Sequence, residues 1–264
     1  MSEHSTRIDR RGFLQLGALA GAGVLSGCAS TTPVGLAPVT RREQRGRAMN
    51  VIFMVSDGMS SGTLTLAEMA RRTRDGRTSN WAGLWSSPGA RRSVCQTHSA
   101  DSLVTDSAAA GSAWGCGRHV NNGSINVAPG GERLTPLLVQ ARAQGKATGL
   151  VTTARITHAT PASFIANVED RGMEREIGAQ LLDRGVDVAL GGGAKHFDLE
   201  ELARRDDLSV VRDASGLRSA ASGRRLLGLF AESHMSYEPD RRGDEPSLRE
   251  MTEALWNRMD AIER

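Results

Sequence analysis

The chain has 264 residues, of which 39% are apolar and 24% charged, and its formal net charge is +3. These values exclude a fibrous or disordered chain and fit a globular protein with one sizeable α/β domain. Four arginines lie in one short stretch, at Arg41, Arg42, Arg45 and Arg47, so the rest of the chain is close to neutral. Such a run is typical of a solvated linker, and we expect no nucleic-acid partner.

The first 28 residues are predicted to be an export signal. Arg10 and Arg11 precede an apolar run, rich in glycine and alanine, that continues to Leu25. This arrangement resembles a twin-arginine signal. Residues 25–28 also resemble the processing box of a bacterial lipoprotein, in which Cys28 would be acylated. A plain signal peptide, cleaved a few residues later, is the alternative. Both interpretations predict an exported protein that is periplasmic or, with lipid at Cys28, anchored to a membrane.

Residues 29–48 are predicted to be a flexible linker, because they combine threonine, proline and glycine with the basic run. Residues 49–264 are predicted to form the folded domain. Two cysteines lie in this domain, Cys95 and Cys116. Two thiols far apart in sequence do not define a disulfide framework, so their pairing stays open.

Four continuous apolar runs predict buried strands. They span residues 49–55, 147–153, 186–190 and 225–230. Because these runs do not alternate strictly between apolar and polar residues, they are typical of strands buried on both faces in a parallel sheet.

Helical patterns lie between these runs. One helix is predicted with Thr135 as its cap, Pro136 at its first position and Gly145 as its end. A second spans residues 173–184. The alternation of strands and helices predicts an α/β fold, a three-layer, doubly wound, mostly parallel sheet with functional residues at the carboxyl ends of the strands.

A last helix is predicted from a capping box formed by Ser247 and Glu250. Its apolar stripe consists of Leu248, Met251, Leu255 and Met259. The alternating pattern calls for another strand after this helix, so we expect the sheet to be incomplete at the C-terminus.

Asp57 follows the first apolar run and precedes Gly58. A carboxylate at the carboxyl end of a strand can hold a ligand or a cation in the crevice of the sheet. An aspartate with a structural or capping role is the alternative.

Residues 103–113 predict a turn that leads into an alanine-rich helix. Asp106 or Ser107 would be the N-cap residue. Alternatively, the Ser107 hydroxyl faces the N–H groups of the helix N-terminus, where a phosphate can be received. A serine hydroxyl needs activation, and no histidine lies in a motif that would make it the base, so a metal ion is the expected activator.

His158 and Thr160 are predicted to lie in a loop after the strand at 147–153, with Pro161 starting a helix. A histidine and a hydroxyl two residues apart can reach one cation; a solvated loop histidine is the alternative. Arg171 is expected near the end of that helix, and its guanidinium could bind two phosphate oxygens.

These motifs, in this order, resemble the alkaline phosphatase family. They are residues 50–59, residues 104–109 and residues 158–162, followed by Arg171. The resemblance extends from residue 49 to the end of the chain and implies an enzyme that hydrolyses phosphate monoesters with Zn²⁺ and Mg²⁺.

The resemblance also implies roles for particular residues. Ser107 would form a phosphoserine intermediate, and Arg171, oriented by Asp106, would bind two oxygens of the phosphate. The implied metal ligands are Asp57 between zinc and magnesium, Ser107 at zinc, and His158 and Thr160 at magnesium. Small phosphate monoesters are the implied partners, and a homodimer is an assembly that the sequence leaves open.

One departure from the family concerns zinc. The family takes most of its zinc ligands from its C-terminal half, and no matching motif follows the last predicted helix. We do not expect His196 or His234 to replace them, and we expect His98 and His119 to be polar loop residues. The sequence is therefore expected to be part of a longer gene product or a natural short form, with little or no phosphatase activity of its own.

The alternatives are two related enzyme classes and one non-catalytic function. A related sulfatase would need a Cys-x-Pro-x-Arg motif, and a related phosphodiesterase a threonine nucleophile, and neither pattern occurs. A non-catalytic exported lipoprotein that binds phosphate or a metal ion is the remaining alternative.

Overall fold

A computed structural model of the protein describes residues 50–220 and 223–262. The predicted export signal and linker lie outside these ranges. Within the described ranges, no helix combines the length and the apolar character needed to cross a membrane.

The prediction of a buried strand at residues 49–55 is wrong. Residues 50–54 belong to a unit separate from residues 55–264. They form no strand, and their apolar side chains are exposed, from 53% at Phe53 to 82% at Val51. An apolar run shows that a segment can be buried, but burial also requires cover on both faces. The local sequence does not specify that cover.

Four parallel strands form the described sheet in the order β1-β2-β4-β3. They are β1 Gly149–Arg155, β2 Val188–Gly192, β3 Leu208–Val211 and β4 Arg225–Leu229. The strands predicted at 147–153, 186–190 and 225–230 are confirmed, with small shifts at their ends. β3 is not among the predicted strands, because so short an apolar run is hard to distinguish from a loop.

Helices lie between and beside these strands. They are α1 Ser61–Asp75, α2 Asn80–Trp85, α3 Ser107–Gly115, α4 Leu137–Ala143, α5 Ala159–Ala162, α6 Glu174–Asp183, α7 Leu199–Ala203, α8 Ala214–Ser219 and α9 Leu248–Ile262. α6 and α9 confirm predicted helices. α4 is also confirmed, but Pro136 and not Thr135 is its cap residue, because the backbone of Pro136 is still extended (ψ 153°).

The core has a layer on each side of the sheet. On one side, Ala189 of β2 and Leu227 of β4 belong to the same apolar cluster as Ile177 of α6. On the other side, Val188 of β2 clusters with Met251 of α9. Neighbouring residues of a strand point to opposite faces, so both faces are covered and the predicted three-layer arrangement is confirmed.

The capping box of α9 is confirmed. Glu250 accepts hydrogen bonds from the N–H and the hydroxyl of Ser247, both at 2.9 Å, and its own N–H donates to the Ser247 hydroxyl at 3.2 Å. Met251 on the predicted stripe is fully buried, whereas Leu248 is 48% exposed. The stripe is therefore only partly covered by the sheet.

Candidate active site

Three oxygen-bearing side chains from distant parts of the sequence meet at one point. The Ser107 hydroxyl donates to the Asp57 carboxylate, with distances of 3.1 Å to Oδ1 and 3.2 Å to Oδ2. The Thr160 hydroxyl donates to Asp57 Oδ2 at 2.7 Å. The structure thus brings together three of the residues that the sequence singled out.

The start of α3 determines where the Ser107 hydroxyl points. Asp106 is the N-cap residue, and its Oδ1 accepts a hydrogen bond from the Ala109 N–H at 2.9 Å. Ser107 is the first residue of the helix, and its hydroxyl is directed to Asp57. Of the two capping candidates in the sequence, Asp106 caps the helix and leaves Ser107 available for chemistry.

Arg171 contacts two of the other candidates. Its Nη1 donates to Asp106 Oδ2 at 2.9 Å, and its Nη2 lies 3.1 Å from His158 Nε2. The expected position of Arg171 near the end of a helix is wrong. α5 ends at Ala162, and Arg171 lies in a turn well beyond it.

The expected loop position of Thr160 is also wrong. α5 begins at Ala159, with His158 as its cap residue, so Thr160 is inside the first turn. Pro161 does not start the helix as predicted. It is the third helical residue, and proline is tolerated there because an N–H group in the first turn has no helical partner.

α3 and α5 pack unusually closely, and glycines permit this. A Cβ atom at Gly111 would lie 2.6 Å from the Ser163 hydroxyl oxygen. A Cβ atom at Gly115 would lie 2.7 Å from the Ser163 carbonyl carbon and would overlap its oxygen. This close approach brings the helix of Ser107 next to the helix of Thr160, which allows both hydroxyls to reach Asp57.

The imidazole of His158 is in an environment that favours its neutral form. Partial burial lowers its pKa below the ordinary histidine value, and the positive charges of Arg171 and Arg155 add to this effect. The ring of His234 meets it edge to face, with the centroids 5.4 Å apart. His234 was not expected at this site; its only sequence signal is its position shortly after β4, as His158 lies shortly after β1.

A partly buried ion pair lies beside this site and was not predicted either. The Arg155 guanidinium donates to both oxygens of Glu174, at 2.7–3.0 Å, and its Nη1 contacts His234. The Thr157 hydroxyl donates to Glu174 at 2.6 Å. His196 Nε2 lies 3.1 Å from the same carboxylate, without the alignment of a hydrogen bond. Burial raises the pKa of Glu174, but the donors outweigh it and hold the pKa below the ordinary value.

Two further histidines and two cysteines among the described residues lie in ordinary surroundings. His98 and His119 stack with their ring centroids 4.0 Å apart, and the Nδ1 atom of each contacts a backbone carbonyl. This agrees with their interpretation as polar loop residues. Cys95 and Cys116 are free thiols, which answers the question that the sequence left open.

The donor atoms around Asp57 fit a hard cation. One carboxylate and two hydroxyls supply oxygen atoms, and Mg²⁺ typically binds one or two carboxylates and retains several water ligands. His158 Nε2 is nearby but accepts a hydrogen bond from Arg171. Within residues 50–220 and 223–262, no group of three or more His, Cys, Asp and Glu side chains is arranged to hold a metal ion.

The fold and this site define a class of three-layer α/β proteins with a serine at a helix start beside a carboxylate. The chain belongs to the alkaline phosphatase family, whose model, described as "Alkaline phosphatase", matches residues 48–261.

Similar proteins and solved structures support this family assignment. Alkaline phosphatase 4 of Bacillus subtilis is 32% identical over 232 residues, which cover 83% of this chain and 50% of the relative. The crystal structure of Thermus thermophilus alkaline phosphatase superposes with a TM-score of 0.71 at 39% identity, and the match covers 79% of this chain and 46% of that one. A mutant of TAB5 alkaline phosphatase with Mg bound in its M3 site has a TM-score of 0.61 at 25% identity, covering 74% of this chain and 57% of that one. The chain therefore spans about half the length of the relatives it matches.

Proposed function

We propose that this chain carries the nucleophile, the phosphate-binding arginine and part of the metal site of an alkaline phosphatase that hydrolyses phosphate monoesters. The observation that supports this most is the position of the Ser107 hydroxyl. It lies at the first residue of α3 and on the Asp57 carboxylate. In this proposal Ser107 attacks the phosphorus atom, the alcohol leaves, and water later cleaves the phosphoserine to release phosphate.

The phosphate is bound by positive charge from two sources. The N-terminus of α3 presents backbone N–H groups and the positive end of the helix dipole. Arg171 supplies a guanidinium, which can donate two parallel hydrogen bonds to phosphate oxygens. Asp106 holds one edge of this guanidinium at 2.9 Å and thereby orients the group, while other N–H groups of Arg171 are left for the substrate.

The proposed metal ligands are those that the resemblance implied. Asp57 would be a ligand of both zinc and magnesium, Ser107 a ligand of zinc, and Thr160 and His158 ligands of magnesium. The oxygen ligands fit this assignment as they stand, whereas His158 would first have to release Arg171. When bound, these cations lower the pKa of the Ser107 hydroxyl and offset the charge that develops on the phosphoryl group.

Little or no turnover is expected from residues 1–264 alone. A catalytic zinc ion usually has about three protein ligands. Among the described residues the proposal assigns zinc only Asp57 and the Ser107 oxygen. Phosphate binding and magnesium binding are therefore more sensitive tests than catalysis.

The test of the metal assignment is magnesium binding by calorimetry. Asp57→Asn removes the shared carboxylate, and we expect it to weaken Mg²⁺ affinity at least about tenfold. Asp75→Asn, which changes a carboxylate on α1 paired with Arg71, is the matched control and should bind as the unaltered chain does. Equal affinity of the Asp57 and Asp75 variants would refute the assignment.

We also propose that the protein is exported through its twin-arginine signal and anchored by lipid on Cys28. Replacing Arg10 and Arg11 with lysine should leave the precursor in the cytoplasm, because the receptor recognises the paired arginines. Cys28→Ala should release the mature protein from the membrane fraction. Unchanged processing in the first variant would refute the export route, and unchanged membrane attachment in the second would refute the anchor.

A further inference from the structure

Asn122 lies in a turn that contacts the segment leading into α3. Its side-chain Oδ1 accepts a hydrogen bond from the Asp106 N–H, and its Nδ2 donates one to the Val104 carbonyl, both at 2.9 Å. Its own N–H donates to Asp101 Oδ1 at 3.0 Å. This bond, together with one from the Ser99 hydroxyl, holds the pKa of Asp101 below its ordinary value. One residue thus provides partners for backbone groups in a segment without helix or strand of its own.

The next residue, Gly123, joins the same segment to the turn that carries Arg171. Its N–H donates to Asp106 Oδ2 at 3.1 Å, and its carbonyl accepts from the Arg171 N–H at 2.7 Å. Arg171 Nη1 completes the ring by donating to the same Asp106 Oδ2. Gly123 has a φ of +85°, a conformation that favours glycine. Three hydrogen bonds therefore fix the arginine relative to the start of the helix.

The chemistry of an amide suits this position. Asparagine both accepts and donates on one planar group, so it can hold the Asp106 N–H and the Val104 carbonyl at once. A carboxylate could accept but not donate, and it would add a negative charge next to Asp106. An alanine could do neither.

We propose that Asn122 is a positioning residue of the phosphate site. It fixes the segment before α3 to the turn that holds Arg171, so that the Ser107 hydroxyl and the Arg171 guanidinium point to one phosphate group. Asn122 does not contact either of these groups itself; it acts through Asp106 and Gly123. This inference rests on the proposed function, because it takes Ser107 and Arg171 to act on the same phosphate.

The first test needs no ligand. In Asn122→Ala, amide hydrogen exchange should become about tenfold faster at Asp106 and at Arg171, and stay unchanged in β1 and β2. Asn122→Asp keeps the acceptor and should have a smaller effect. Asn121→Ala is the matched control, since no hydrogen bond of its side chain is found within the described ranges. Unchanged exchange at Arg171 in Asn122→Ala would overturn the inference.

The second test is a double-mutant cycle on the affinity for inorganic phosphate, with Mg²⁺ and Zn²⁺ present. Asn122→Ala should weaken phosphate binding about tenfold in the unaltered chain and hardly at all when Arg171 is already alanine. Equal losses in both backgrounds would mean that Asn122 acts only on general stability, and would overturn the inference. If the unaltered chain binds no phosphate, the proposed function fails, and the exchange at Arg171 alone decides whether Asn122 positions the arginine.

Discussion

Gly115→Ala tests the close packing of α3 on α5, which brings Ser107 near Thr160. At an open helical position, alanine is favoured over glycine by roughly 1 kcal/mol. At Gly115 the added methyl would meet the backbone of Ser163, with 2.7 Å to the carbonyl carbon. A backbone group cannot move aside as the end of a flexible side chain can, so the two helices would have to separate.

The expected cost follows from these opposing effects. Overpacking of a tight interface costs about 1–3 kcal/mol, and more where the backbone has to move. Because the backbone has to move here, we take the upper value of about 3 kcal/mol, and subtracting about 1 kcal/mol of helix propensity leaves a loss of about 2 kcal/mol in the free energy of unfolding. For a domain of this size each kcal/mol corresponds to about 2–4 °C, so thermal unfolding followed by circular dichroism should show a decrease of roughly 4–8 °C.

Gly83→Ala is the matched control for this experiment. Gly83 lies within α2, and a Cβ atom there would meet no atom within 4 Å. This variant should be as stable as the unaltered chain or more stable by up to about 1 kcal/mol. If Gly115→Ala is also neutral or stabilising, the helices are not as close in solution as the structure places them, and the geometric argument for the site fails.

Three further predictions concern single side chains. Arg171→Lys keeps the charge but loses the fork of donors, so phosphate affinity measured by calorimetry should fall about tenfold, and an unchanged affinity would contradict bidentate binding. Glu174→Gln should lower the free energy of unfolding by about 2 kcal/mol at pH 7, because it removes the charged partner of the partly buried Arg155 guanidinium. The pKa of Glu174 is held below its ordinary value. The carboxylate therefore stabilises the fold above the ordinary glutamate pKa, and this stabilisation is lost as the pH falls through the lowered pKa. In urea unfolding, the free energies of unfolding of the unaltered chain and of Glu174→Gln should become equal only in that acid range. Ser247→Ala removes the capping box of α9 and should cost about 1 kcal/mol in the same assay, whereas Ser236→Ala should cost little.

The strands that the sequence predicts correctly are those whose apolar runs are also covered. β1, β2 and β4 have neighbours on both sides or helices on their faces, so the local pattern and the tertiary structure agree. Residues 50–54 have the same apolar character without that cover. The pattern of a segment indicates what it can bury, and its neighbours decide whether it does so.

The candidate site was predictable in its residue types but not in its geometry. Local patterns left Asp106 and Ser107 both suited to capping α3, and the structure shows Asp106 as the cap residue. The contact of His158 with His234 joins segments that follow two different strands, β1 and β4. Such contacts depend on the order of the strands in the sheet, and no local pattern in the sequence encodes that order.

The central claim is that Ser107 accepts the phosphoryl group of a monoester. The most direct measurement is mass spectrometry of the chain after long incubation with an aryl phosphate, Mg²⁺ and Zn²⁺, followed by an acid quench. Formation and hydrolysis of the phosphoserine depend on the same positive charges around the phosphoryl group, so both steps should be slow. Because hydrolysis is slow, the phosphoserine should accumulate during the long incubation, and one phosphoryl group should be found on the peptide that contains Ser107. It should be absent from Ser107→Ala, which is expected to fold normally. The absence of any label in the unaltered chain, or a label that persists in Ser107→Ala, would contradict the claim.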